Sequence, residues 1–149
     1  MKQIEYILEK LNDLLILNEE VENAYNKASN KVTNTNYKTF SNERSQERAE
    51  FVRLLKGELN KLEAKGGNLA EKRRAHVVRL NFRNFLKIEN DTEFLRKVYD
   101  MELLSLNKYD ELLTQMNLPL KLCRLLLKQR DNIQARLYVM ERENEIVIP

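Results

Sequence analysis

Glu22, Glu47, Glu50, Glu102 and Gln129 are spread along the chain at positions where helical spacing would turn oxygen donors inward. Asn18 and Tyr109 share those faces. Around Glu102 the pattern is clearest. Leu95, Val98, Glu102, Ser105, Tyr109, Leu112 and Met116 fall on one face of a helix, an apolar seam interrupted by a carboxylate, a hydroxyl and a phenol. Carboxylates brought together from several helices can hold two iron or manganese ions for oxidative chemistry. That site takes a Glu from each of two helices and a Glu-x-x-His from each of the other two. Here the completing positions are wrong. Ser105 stands three residues after Glu102, and Asn132 three after Gln129. The one histidine, His76, lies outside the long helical segments. The residue set therefore reads as a buried polar layer whose members hydrogen-bond one another, with no catalytic, cofactor-binding or metal-ligating residue assigned.

Those residues need helices to position them. The chain has 149 residues, 42% hydrophobic and 33% charged, with only 3 Gly and 2 Pro. Such a composition suits one globular domain, residues 1–149, built from long helices. The first helix spans about Lys2 to Ser29, with Leu11, Leu14, Leu15, Asn18, Val21, Glu22, Tyr25 and Ala28 on its inner face. An aperiodic polar stretch, Asn30 to Asn36, separates it from a second helix over about Tyr37 to Lys65. Phe40, Phe51, Leu54, Leu55, Leu59 and Leu62 form the second apolar face, with Glu47 and Glu58 near it. Gly57 either admits a close neighbour or is a surface glycine that the helix carries at a cost. Gly66-Gly67 ends the helix.

A shorter amphipathic helix over about 69–88 carries Lys72, His76, Arg79, Arg83 and Lys87 as a basic stripe. Residues 65–88 hold seven Lys or Arg against one acid, so the net charge of +3 divides into +6 there and −3 elsewhere. Clustered cations can meet phosphates, but Phe82 and Phe85 face away from the stripe, and a solvated helix face explains the pattern as well. Asn90 and Glu93, three apart, open the third long helix as a capping box. Pro119 fits the first turn of the last helix, about Leu118 to Arg142. Leu122, Leu125, Leu126, Gln129, Ile133, Leu137 and Met140 face its core side. The tail around Ile146-Val147-Ile148, within 143–149, either docks on the helices or frays. The fold expected is all-α, an antiparallel four-helix bundle with a short extra helix before the third long one.

The ordered set of these features resembles a family. Leu11-Asn12-Asp13-Leu14, Asn18, Tyr25 and Ala28 carry the resemblance in the first helix, and Glu47-Arg48-Ala49, Phe51 and Glu58-Leu59 in the second. Gly66-Gly67, His76, Phe82, Arg83 and Leu86 follow, then Glu102, Tyr109, Leu126, Gln129 and Ile133. The family is that of the bacterial ferritin-like bundles of unknown function related to the stress protein YciF. The resemblance implies a ferritin-like fold and a stress-associated role. The chain departs from it at Met101-Glu102-Leu103, at Arg79 and at Leu137, where the family commonly has a histidine.

The reading that follows is a non-catalytic, cytoplasmic bundle acting through self-association, as a dimer, or through a protein partner. Leu103, Leu106 and Leu127, beyond the main seams, motivate the association. The alternatives are a relic of an iron- or manganese-dependent oxidase or ferroxidase, and a nucleic-acid-associated stress protein using the basic helix. The single Cys123 excludes an intrachain disulfide and fits a reducing compartment. The opening segment does not read as a secretory signal, and no apolar run is long enough for a membrane span. Glu102 is expected to be buried against Gln129 and either Glu22 or Glu47, with Glu102→Gln tolerated.

Overall fold

The computed structural model describes residues 2–66, 88–114 and 118–143. Among them are four helices and no strand. They are α1 (Lys2–Lys31), α2 (Thr35–Gly66), α3 (Asp91–Leu113) and α4 (Leu120–Glu143). The basic segment 69–88, with Lys72, His76, Arg79, Arg83 and Lys87, lies outside the described residues apart from Ile88, and so does the tail from 144.

α2 and α3 each begin where a polar side chain receives a free N–H donor. The polar stretch between α1 and α2 is mostly helical, and only Val32–Asn34 turns. Asn34 starts α2: its side-chain oxygen accepts from Tyr37 N at 3.2 Å and its carbonyl from Lys38 N at 3.0 Å. Asn90 starts α3 in the same way, accepting from Glu93 N at 3.2 Å. Glu93 reaches back to accept from Glu89 N at 2.7 Å, one residue earlier than a strict capping box. Pro119 stands just before α4, and its carbonyl accepts from Cys123 N at 2.9 Å. Its missing N–H costs nothing there.

Asp91 ties the α1–α2 turn to the start of α3. Its carboxylate accepts from Thr33 N (2.8 Å), Thr33 Oγ1 (2.7 Å) and Asn34 N (3.0 Å). The end of α1 thus meets the beginning of α3. Further along, Tyr25 meets Glu102 and Asn18 meets Tyr109, so positions that rise in α1 fall in α3. The other pairings follow the same rule. Glu47 and Glu58 of α2 face Arg136 and Lys121 of α4. Tyr99 and Asp110 of α3 face Glu141 and Arg130 of α4.

Apolar residues from all four helices form one core. α1 packs most extensively against α2, and α2 only sparsely against α4. At one end Tyr37 stacks on Phe94 with centroids 4.4 Å apart, and Phe40 meets Phe94 and Tyr25 edge-on. Leu106 is buried and Leu103 packs partly into the core, so neither is the surface residue that spacing suggested. Leu127 is exposed. Leu54 is also exposed, because the buried line of α2 runs through Val52 and Leu55 on either side of it. No described helix is long and apolar enough to cross a membrane.

Gly57 is exposed, and a Cβ built on it would meet nothing within 4 Å. The close helix approach that would explain it is not there. With no steric reason for glycine, Gly57→Ala should stabilise the fold by about 1 kcal/mol through helix propensity. Urea unfolding should show the midpoint rising at constant slope, and a fall would contradict the packing described.

Candidate functional site

The buried stripe of α2 runs Ser41, Ser45, Arg48, Val52, Leu55, Leu59 and Leu62. These residues alternate four and three apart, which keeps them on one face. Arg48 is the unlikely member, a guanidinium with no exposed surface. Burying an isolated charge is prohibitive, so its partners must come from the facing helices. Glu102 on α3 supplies the counter-charge, with Arg48 Nη2 at 2.5 Å from its Oε2. Asn18 on α1 accepts from Nη1 at 2.6 Å, and Ser105 Oγ accepts from Nη2 at 3.2 Å. The Arg48 Nε–H meets no acceptor.

The partners are themselves held. Tyr25 donates to Glu102 Oε1 at 2.8 Å, so both carboxylate oxygens are occupied. Tyr109 donates to Asn18 Oδ1 at 2.9 Å, and the Asn18 amide donates to the Leu14 carbonyl at 2.8 Å. Ser105 donates to the Met101 carbonyl at 3.1 Å. Phe51 stacks on Tyr109 with centroids 5.6 Å apart and closes the layer on its apolar side. The result is a buried, nearly saturated network joining α1, α2 and α3.

Its electrostatics follow from that closure. Burial pushes the Glu102 carboxyl up, but the charges of Arg48 and Arg136 and the bonds from Tyr25 and Arg48 outweigh it, leaving the carboxyl below its ordinary 4.5. Burial works against the Arg48 charge, and Glu102 more than restores it, so the guanidinium stays protonated. The Tyr25 hydroxyl is raised well above its ordinary 10.0, first by burial and then by Glu102. Tyr109 is raised too, chiefly by burial. At neutral pH the layer therefore holds one cation, one anion and two neutral phenols.

The candidate polar residues divide between this layer and its surroundings. Asn18, Glu102, Tyr109 and Gln129 are buried. Gln129 reaches neither Glu102 nor Arg48 by a hydrogen bond, and its Nε2 is unpartnered. Glu22 is half-buried and contributes only a backbone carbonyl, 3.5 Å from Ser45 Oγ. Glu47 pairs with Arg136 through both oxygens, one of them 3.1 Å from Nη1. Glu50 is exposed and pairs with Arg53 at 2.5 and 2.8 Å. The expected facing of Glu102 toward Gln129, Glu22 or Glu47 is thus replaced by Arg48 and Tyr25. In the sequence Arg48 figures only within Glu47-Arg48-Ala49, and nothing there marks it as buried.

A metal ion does not fit this donor set. Both Glu102 oxygens are taken, and the guanidinium already supplies the positive charge. Among the described residues no three His, Cys, Asp or Glu side chains gather as a metal site would need.

The ion pair also reverses the expectation for Glu102→Gln. That change leaves Arg48 as a buried, uncompensated charge, and breaking such a pair costs about 3–5 kcal/mol. Arg48→Met should cost about as much, leaving the carboxyl to take up a proton instead. Replacing both residues by Met should restore most of the loss, because two well-packed apolar residues can match a buried ion pair. Denaturant unfolding of the two single variants and the double variant reads this coupling directly; additive losses would contradict it.

The pH dependence follows in sign. A carboxyl whose folded value is depressed gives stability that is present above the unfolded value near 4.5 and lost as pH falls through the lower folded value. Acid unfolding should be shallower in the double Met variant than in the natural protein. An identical acid limb would place the acid sensitivity elsewhere.

No curated protein and no solved structure matches the chain. A family comparison does match, over residues 6–115, under the description "Domain of unknown function (DUF2383)". That span holds α3 and nearly all of α1, with α2 between them, so it includes every member of the Arg48 network. Gln129 and Arg136, on α4, lie beyond it. Because the match takes in well over half of the 149 residues, the chain belongs to the DUF2383 family of domains of unknown function.

Proposed function

We propose that the protein is a non-catalytic, single-domain antiparallel four-helix bundle of ferritin-like type that acts by associating with a second copy of itself. The observation that carries this reading is the filled centre. Where an oxidase bundle would gather open carboxylates, Arg48 neutralises Glu102 and Tyr25 covers its other oxygen. The head-to-tail pairing of α1 with α3, α2 with α4 and α3 with α4 supports the antiparallel arrangement. On the family resemblance and the single cysteine we further take the protein's role to be stress-associated and its place to be the cytoplasm.

The association surface is on α4. Leu120, Leu127 and Tyr138 are exposed, 65%, 43% and 56%. They are seven and eleven residues apart, close to two and three whole turns, so they form one apolar line along the helix. Exposed lines of this kind suit a two-fold contact, the commonest closed assembly.

Light scattering at high micromolar concentration should give a dimer mass, and Leu127→Lys with Tyr138→Lys should give a folded monomer. A monomeric natural protein at that concentration would contradict the reading. Elemental analysis of protein purified without chelators should find no stoichiometric iron or manganese. Near-stoichiometric metal would replace this reading by the oxidase one.

A further inference from the structure

α4 stops before its neighbours do. Tyr99 of α3 pairs with Glu141 and Asp110 with Arg130, so each residue gained along α4 is one lost along α3. Carried forward, that register sets Glu143 level with Lys97, and Asp91 to Arg96 lie past the end of α4. On α2 the Glu47–Arg136 pair sets Glu143 level with Phe40 and leaves Tyr37 past it. Between these helix starts and the last turns of α4 is a groove of about 280 Å³. It is walled by Tyr37 and Phe40 of α2, Phe94 and Leu95 of α3, and Val139 and Met140 of α4.

The walls are well ordered against one another and apolar. Tyr37 is stacked on Phe94, and Phe40 stands edge-on to it. Tyr37, Phe40 and Leu95 are only half-buried, and Val139 is 48% exposed. Arg136 is the one charged residue among the described lining, and Glu47 takes both of its terminal nitrogens. Nothing in the lining therefore calls for a charged occupant. The space suits a few aliphatic side chains, since a cavity of roughly 150 Å³ holds a benzene-sized group.

The chain carries such side chains at the matching place. Residues 144–149, which follow α4 directly, read Asn-Glu-Ile-Val-Ile-Pro. Ile146, Val147 and Ile148 are β-branched, so they add little to helix propensity, and three apolar residues in a row are costly to leave in water. By the α3 register, Leu95 and Phe94 are level with positions 145 and 146. Five residues beyond Glu143 span roughly 8 Å as a helix and roughly 17 Å as an extended strand, so the apolar run reaches the groove in either form.

We propose that residues 144–149 seat in this groove of their own chain, with Ile146, Val147 and Ile148 against Tyr37, Phe94, Leu95 and Val139. The tail takes the place that α4 vacates and closes that end of the bundle. Nothing in the proposal depends on the dimer surface, since Leu120, Leu127 and Tyr138 do not line the groove.

The test is NMR of the full chain with labelled Ile and Val methyl groups. Methyl signals of residues 146–148 should show nuclear Overhauser contacts to the rings of Tyr37 and Phe94. In a mixture of labelled and unlabelled chains, those contacts should be absent from the filtered spectrum that reports only contacts between chains. The full chain carrying Ile146→Ser, Val147→Ser and Ile148→Ser should lose the contacts, bind more of the apolar dye ANS and unfold at a lower urea concentration. Glu145→Ser, which removes no apolar surface, should change neither dye binding nor the urea midpoint. The absence of tail-to-ring contacts in the natural protein would overturn the proposal. So would dye binding and a midpoint that the triple Ser change leaves alone. Contacts seen only between chains would overturn it as well, by giving the groove to the tail of a second copy.

Discussion

A guanidinium buried in the core dictates the arrangement of three helices. Arg48 can be buried only if an anion and further acceptors reach it in fixed geometry, and they come from two other elements. Asn18 comes from α1, and Glu102 and Ser105 come from α3. A slip of one helical turn in α2 or α3 would leave a charge unpaired in the core, and a slip of α1 would take a hydrogen bond from each charge. Leucine packing alone tolerates such slips far better, since apolar contacts are non-directional. The ion pair thus sets the register of α1, α2 and α3, whether or not it adds to stability. Tyr25, Tyr109 and the Asp91 tie to Thr33 and Asn34 repeat the same register at other levels.

The helices themselves were legible from periodicity and composition. Long amphipathic segments, Asn90 with Glu93, and Pro119 were enough to place α3 and α4 closely, because capping chemistry acts between near neighbours. Part of the polar layer was legible too. Glu102, Asn18 and Tyr109 sit on otherwise apolar faces, and such interruptions stand out. Arg48 did not, because Ser41 and Ser45 precede it and break the apolar stripe of α2. Its role comes from residues 30 and 54 positions away, and no local pattern carries that distance. The surface residues failed for a related reason. Leu103, Leu106 and Gly57 have helical positions that the sequence gives, but which neighbour covers them is decided by packing.

α4 stands apart from this network. Its core face is apolar except for Gln129, and Arg136 pairs with Glu47 near the edge of the polar layer. The family match ends before it, at residue 115. The residues that set the three-helix register all lie inside that match, and α4, which carries the exposed apolar line, lies beyond it. Tyr99 and Arg130 hold α4 to α3, and α4 packs more sparsely on α2.

The central claim is that Glu102 is an ionised partner of Arg48 in a closed layer. Carbon-detected NMR of the glutamate side-chain carboxyls, followed through acid titration, tests it most directly. The Glu102 signal should stay at its ionised position at neutral pH and titrate below 4.5, only as the protein begins to unfold. A Glu102 carboxyl that titrates above 4.5 in the folded protein would show a proton where the ion pair should be, and would contradict the account.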